Sequence, residues 1–582
     1  MKNYKKVYAA FILAGGLILH GCNGIFDDLA INPNQPSMGA YFTSPSAVND
    51  AVMTMYGYMS TQRCLGASGS KTTIIRSDEA SSNSDYGKPG MFGADLNASY
   101  YTIEQPYTLM YTTASQASYI IETAPSVDFS GNEELRNAYM GEAYFWRAFA
   151  HYYLLINFRN ISPIRQMPRN GDDYVRPLEK PAAVWNFIQE DLAHAKELLP
   201  VKGYWDSKNA GRVTKASAAA LLGKAYLYRS GIEQYYGEDK TTFYSEAAKE
   251  FGDVIDGKYG TYDLTKNYAD NFDVAHENNE ESILEFQFLG DVDNAGFNPG
   301  LATSGLAFDS RGLMLPGAGV GYEGVVHNWL YNAFVNSVDK DGYTDIRMFS
   351  TMIFNDLDAS IHLRNDAGGN PVRLEGPGGY KWEELYPAKN GKEGFATVSN
   401  PLAHSFKAGI RKGIDCSMPT QTEADGTPKL VGVGAGVKEY VYNQPRAHGV
   451  NWRYIRYADV LMMYAESVVS GGTQASNMTP LQAVNKVRGR VNMSELPSVT
   501  MTDIQNERIL EFALEGHRFY DLLRWGKLAS RFTELQESDP NFKKFISADD
   551  FKGFVTNKHE WLPIPINEVN YNPYITENNP GY

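Results

Sequence analysis

The stretch 133–158 constrains the fold most. Within it Met140, Ala143, Tyr144, Ala148, His151, Tyr152 and Leu155 recur at intervals of three and four, which puts them on one face of an amphipathic helix. Such a face gains its stability by burial against a neighbour, so one helix of this kind demands others. They are present. Similar patterns run over 46–59, 107–123, 184–199, 215–229 and 243–255, and again over 454–469, 480–491, 503–514 and 516–528. Thr214 is placed to cap the helix 215–229, Gly231 to end it, and Pro200 to end the one before. That helix carries Ala216, Ala218, Ala219, Ala220, Gly223 and Ala225, small residues that let a neighbouring helix come close.

The expected class is therefore mainly α: tetratricopeptide-like helix pairs forming a superhelical scaffold, with long irregular loops and few short strands. The roughly 34-residue self-similarity of such arrays is not visible in clean form. Long tracts rich in Gly, Pro, Ser and Asn interrupt the helices at 66–98, 290–324 and 365–449. Loops of that length in a compact protein are commonly binding or lid segments.

Composition removes several functions. The 582 residues include 53 Lys+Arg against 68 Asp+Glu, a formal charge of −15, without the basic surplus that a nucleic-acid partner requires. The 43% hydrophobic content supplies a core, and the length alone leaves two to four domains open. Three Cys are too few for a disulfide scaffold or a paired-CxxC zinc site. Cys64 and Cys416 are candidates for a disulfide in an oxidising compartment.

The N-terminal segment directs the chain to a membrane. Lys2, Lys5 and Lys6 precede an apolar run over 7–19, too short to span stably, which reads as a signal peptide over 1–21. It ends in Leu19-His20-Gly21-Cys22, which resembles a bacterial lipobox, with His20 a less usual choice. Cys22 is thus the expected lipidation site, its thiol taking a diacylglycerol whose chains anchor the protein. Residues 22–46, with Asn32-Pro33-Asn34-Gln35-Pro36, read as a lipidated tether. The helical body covers 47–582, in an N-terminal portion of about 47–260 and a C-terminal one of about 280–582.

No motif for catalysis or a cofactor stands out. Gly319-Val-Gly321-Tyr-Glu-Gly324 matches GxGxxG, but no buried strand precedes it, so a loop is the better account. Asp291-Val-Asp293 and Asp339-Lys-Asp341-Gly342 lack the full ligand set of a calcium loop and read as turns. Neither HExxH, GxSxG nor a Walker sequence occurs. Glu507, Glu511 and Glu515 share a helical face near Arg488, Arg490 and Arg518. Carboxylates so spaced could serve a surface hydrolase, the remote alternative; neutralisation by those arginines in a structural network is the expected role.

The aromatic content is high, with 39 Tyr, 28 Phe and 8 Trp. Trp146, Phe149, Tyr152, Tyr226, Tyr228, Tyr457 and Tyr464 fall at core spacing on helices. Tyr86, Phe92, Tyr100, Tyr101, Phe297, Tyr322 and Trp382 lie in loops, with no helical face to bury them. Flat rings stack on the C–H faces of sugars while Asn, Asp and Arg bond the hydroxyls, so the loop set is a candidate glycan surface.

Several segments in order resemble the SusD/RagB family of surface lipoproteins. They are Gly141-Glu-Ala-Tyr-Phe-Trp-Arg-Ala-Phe149, Val213-Thr-Lys-Ala-Ser217, Ile455-Arg-Tyr-Ala-Asp459, Tyr464-Ala-Glu466, Asn485-Lys-Val-Arg488-Gly-Arg490, Glu515-Gly-His-Arg518, Asp521-Leu-Leu-Arg524-Trp525-Gly526 and Leu562-Pro-Ile-Pro565. The resemblance implies four tetratricopeptide-like helix pairs and a protein on the outer-membrane surface, lipid-anchored, that captures glycans for a SusC-like TonB-dependent transporter without cleaving them. No cofactor and no metal is expected; some members take peptides, which is the alternative ligand. It assigns Arg147, Arg456, Asp459, Glu466, Glu511, Glu515 and Arg518 to the scaffold. Its ligand positions fall here on Arg76, Asp78, Tyr86, Tyr100 and Tyr101 in the first long loop, and on Phe297 and Tyr322 in the mid-chain tract. Neither loop holds a Trp, a departure from a starch binder.

Overall fold

The computed structural model describes residues 42–69, 71–81, 92, 96–288, 325–354, 360–364, 408–412, 423–425, 430–432, 438–440, 450–539 and 554–582. The helices of the first half are α1 (Pro45–Met59), α2 (Tyr101–Thr123), α3 (Glu133–Phe158), α4 (Pro181–Leu198), α5 (Lys215–Tyr236) and α6 (Tyr244–Ile255). Their starts are written locally. Ser44 accepts from the Ala47 N–H ahead of Pro45, Asn132 accepts from Leu135, and Thr214 and Ser217 cap α5 reciprocally. α2 begins six residues before the expected start, because the chain keeps helical geometry through Pro106 at the expense of one backbone bond in that turn.

Each helix packs on the next, α2 on α3, α3 on α4, α4 on α5 and α5 on α6. The expected core aromatics are interior: Trp146, Phe149, Tyr152, Tyr228, Tyr457 and Tyr464 are buried and Tyr226 is half-buried. Small residues set the spacing, since a Cβ at Gly223 of α5 would meet the Phe251 ring of α6 at 2.8 Å.

Strands are short. β1 (Ala80–Ser81), β3 (Val325–Val326), β4 (Met352–Phe354) and β5 (Ala408–Ile410) form an antiparallel sheet in the order β1-β3-β5-β4. β2 (Ser282–Phe286) pairs with β8 (Trp452–Arg456), Ser282 opposite Arg456, while β6 (Leu430–Gly432) pairs with β7 (Lys438–Tyr440). The second half adds α7 (Asn328–Val335), α8 (Arg347–Thr351), α9 (Tyr457–Val469), α10 (Pro480–Arg490), α11 (Met501–Glu511), α12 (Arg518–Arg524), α13 (Leu528–Ser538) and α14 (Ile566–Tyr571). The helix expected over 516–528 is two. Positive φ at Leu514 (61°), Gly516 (85°) and Gly526 (64°) turns the chain between α11, α12 and α13.

The halves interlock. α6 packs on α9 and α5 on α12, and one apolar cluster reaches from Phe42 to Ile575. A Cβ at Gly231 on α5 would sit 2.5 Å from the Arg524 carbonyl oxygen on α12, a backbone atom that cannot swing aside. Gly231→Ala is therefore expected to destabilise the protein by about 1–3 kcal/mol, read as a lowered midpoint in urea unfolding with the circular dichroism of the folded state unchanged.

Candidate functional site

Two π-helical segments, Gln62–Gly69 and Lys71–Ile75, deliver Arg76, Ser77, Asp78 and Glu79 to the protein interior. Arg76 is fully buried. Its Nη2 donates to the carbonyls of His559 (3.1 Å) and Glu560 (2.9 Å), its Nη1 to Asn157 (3.3 Å), and its guanidinium lies 4.0 Å from the Phe519 ring centroid. Asp78, equally buried, accepts from Arg518 Nε at 2.9 Å, Arg518 Nη2 at 3.1 Å and Arg531 Nε at 2.5 Å. Its carbonyl accepts from His327 Nδ1 at 2.7 Å and Trp329 Nε1 at 2.5 Å. Burial pushes the Asp78 carboxyl up, but Arg518 and Arg531 outweigh it and hold it below its ordinary value.

The expectation that Arg76 and Asp78 touch ligand is thus corrected. Both are spent on joining the first long loop to α12, α13 and the C-terminal segment, through partners up to 484 positions away in sequence. Phe92 is corrected likewise: it is buried, stacked on His559 and edge-on to Phe532 and Phe554. Cys64 is a buried free thiol. Cys22, Tyr86, Phe297, Tyr322, Trp382 and Cys416 lie outside the described residues, as does the glycine motif at 319–324. The Asp339–Gly342 segment is a turn, in which Asp339 Oδ1 accepts the N–H groups of Asp341 and Tyr343.

Tyr100 and Tyr101 are placed differently. Tyr100 is the extended N-cap of α2 and Tyr101 its first residue. Their rings stack with centroids 5.3 Å apart and planes 26° from parallel, and Tyr101 is 39% exposed. A turn in which Asn97 accepts from Ser99 and Tyr100 sets the pair, and the Ile566 N–H donating to the Ala98 carbonyl at 2.8 Å ties it to α14.

Farther along α2, from Glu104 onward, a groove of about 350 Å³ lies between the loop 162–176 and α14. Its floor is Tyr107 against Tyr111, with ring centroids 4.9 Å apart. The Tyr111 hydroxyl accepts from the Ser162 N–H at 3.1 Å. Tyr174 and Tyr571, 59% and 80% exposed, stand at its edges. Glu104, Asn567, Glu568 and Arg176 contribute the rim. Sequence reading passed over this groove because its walls come from chain segments nearly 400 residues apart, as the bond from Asn572 Nδ2 to the Arg176 carbonyl shows.

The carboxylates that could have suggested catalysis are internal. Glu511 meets Arg456 at 2.7 Å and Arg347 at 3.0 Å and also pairs with Arg490; Glu507 meets Arg347 and Arg488, each at 2.5 Å. Glu515 meets Arg456 and Lys412 at 2.9 and 2.8 Å, while Arg518 is committed to Asp78. Among the described residues no group of three His, Cys, Asp or Glu could hold a metal ion, and no helix is long and apolar enough to cross a membrane.

A family model described as "SusD family" matches residues 422–582, and one described as "Starch-binding associating with outer membrane" matches 31–227. A SusD-like protein of Bacteroides ovatus is 24% identical, over 90% of this chain and 83% of its own. The chain belongs to the SusD/RagB family. A SusD superfamily protein of Bacteroides vulgatus has the same fold, with a TM-score of 0.68 at 22% identity over 93% of this chain and 100% of that one. So does a surface glycan-binding protein A of Bacteroides thetaiotaomicron solved with laminarihexaose, with a TM-score of 0.64 at 18% identity over 92% and 100%. The SusD-type scaffold here gives its buried charges to helix junctions and leaves tyrosines on the surface.

One junction group makes the stability pH-dependent. Burial and the neighbouring Asp78 charge push Glu79 up to about 8 from 4.5; its carboxylate oxygens accept from the Leu514 N–H at 3.0 Å and from Ser77 Oγ at 3.3 Å. Between those two values the folded chain holds a proton that the unfolded chain has lost, so this group's contribution falls as pH rises from 4.5 to about 8. Glu79→Gln is expected to remove that slope. Its urea midpoint, compared with that of the unsubstituted chain, should gain steadily across this range; a constant difference would contradict the assignment.

Proposed function

We propose that this protein is a non-catalytic surface lipoprotein that captures glycan chains at the outer membrane and passes them to a SusC-like TonB-dependent transporter. The observation that carries the reading is the stacked Tyr100–Tyr101 pair at the start of α2, with Tyr101 exposed, and a groove lined by four tyrosines farther along the same helix. Exposed rings offer sugar C–H faces a flat apolar partner, and the neighbouring carboxylate and amide side chains suit the hydroxyls. The protein solved with laminarihexaose has this fold, which supports a sugar ligand. Cys22, acylated after removal of residues 1–21, is the anchor, with residues 22–46 as the tether. The commitment of Glu507, Glu511 and Glu515 to arginines supports capture without cleavage.

The test is affinity electrophoresis of the mature chain against a panel of soluble polysaccharides, with chromatography of each incubated mixture. At least one polysaccharide should retard the protein, no product should form, and Tyr101→Ala should weaken retardation by about tenfold. Product formation, or retardation by no polysaccharide with peptide co-purifying instead, would contradict the proposal.

A further inference from the structure

The groove beside α2 holds an imbalance that bears on which glycans it takes, an inference that rests on the glycan reading above. Several of its polar groups are open as acceptors. The hydroxyl of Thr112 donates to the Thr108 carbonyl at 2.9 Å, that of Ser115 to the Tyr111 carbonyl at 3.0 Å, and that of Ser162 to the Arg176 carbonyl at 3.0 Å. Each hydroxyl proton is thereby spent on backbone, leaving oxygen lone pairs for a ligand. Glu104 and Glu568 add carboxylate oxygens, which only accept when ionised. The Asn567 amide already gives an N–H to Glu104. Arg176 is the one cation among the described lining residues, and its Nη1 donates to the Pro163 carbonyl at 3.2 Å.

A ligand bound there meets acceptors open to its donors and faces two acids against one base. Sugar hydroxyls are such donors. Uronate and sulfate groups are acceptors with charge of the wrong sign, and the chain as a whole is acidic at −15. The apolar half of the site fits the same ligand, because the exposed Tyr174 and Tyr571 line the groove together with the Tyr107–Tyr111 pair. The volume of about 350 Å³ lies within the range of small-ligand sites.

We propose that this groove is a subsite for an uncharged oligosaccharide, held at its ring faces by Tyr174 and Tyr571 and at its hydroxyls by the acceptor-rich rim, and that it turns away uronate-rich chains. A cationic peptide would also satisfy the rim. It is disfavoured by the four tyrosines of the lining, whose rings suit the C–H surface of a pyranose chain, and it enters the test as a separate outcome.

Titration calorimetry of the mature chain decides the matter, with laminarihexaose, cellohexaose, xylohexaose and mannohexaose as neutral probes, hexagalacturonate as the anionic one and hexalysine as the cationic one. At least one neutral hexasaccharide should bind, and the Tyr174→Ala/Tyr571→Ala double variant should weaken it by about tenfold or more. Hexagalacturonate should show no heat with the unsubstituted chain and measurable binding with Glu104→Gln/Glu568→Gln. Both tyrosines are largely exposed, so their removal leaves the fold intact. Unchanged affinity in the tyrosine double variant, while Tyr101→Ala still reduces binding, overturns the groove and leaves glycan capture standing. Hexagalacturonate bound as tightly as the neutral probes, or no gain from the two Gln substitutions, overturns the charge selection. Binding of hexalysine alone, or of no probe, overturns both this inference and the glycan reading.

Discussion

The guanidinium of Arg456 reaches three carboxylates that belong to different parts of the chain: Glu281 before β2 and Glu511 at 2.7 Å, and Glu515 at 2.9 Å. Around it Arg347 pairs with Asp345 and Glu507, Arg488 with Glu507, Arg490 with Glu281 and Glu511, and Lys412 with Glu515, so that five basic and five acidic side chains balance in the interior. Charges buried in this way are tolerable only as a complete set, since one missing partner leaves another desolvated and unpaired. Glu511 shows the consequence. Burial pushes its carboxyl up, yet Arg490, Arg456 and Arg347 together carry it far below its ordinary value. A second set ties Arg508 to Asp459 and Asp521, and Arg524 to Asp521 and Glu466. A third ties Asp78 to Arg518 and Arg531. Each links a helix or loop of one region to α11, α12 or α13.

This use of charge explains why the acid excess of the composition reads as a surface property, and it separates the protein's two kinds of aromatic residue. Trp146, Tyr152 and Tyr228 fill the space between helices, whereas Tyr101, Tyr174 and Tyr571 stand exposed where α2 meets α14. The interior is fixed by ion pairs and close helix contact, while these tyrosines keep part of their surface in solvent.

Much of the scaffold was legible in the sequence because the relevant signals are local. The three-four spacing in α3, the Thr214 cap and the small residues of α5 act over a few positions, and the helices begin and pack where those signals place them. The glutamates of α11 were assigned to arginine partners on the same grounds, and Arg488 and Arg490 do fill that role. Arg456 and Arg347 were not paired with them, and Arg518 was paired with the wrong acid. The site was harder to read for one reason. Arg76 and Asp78 look like exposed loop charges until partners more than 400 positions away close over them, and Tyr174 and Tyr571 look unrelated until the chain's end returns to α2. The exposure of Tyr101 was legible because its signal, an aromatic without core spacing in a polar loop, is local as well, although the structure makes it the first residue of α2.

The buried charge set ties the N- and C-terminal portions into one body that holds the tyrosine surface in place. Hydrogen exchange of the Arg456→Met variant is the sharpest measurement of that coupling. Protection is expected to fall together in α9 and α11 and, through β2, in α5 and α6. Loss confined to residues beyond 450, with α1 to α6 as protected as in the unsubstituted chain, would contradict it.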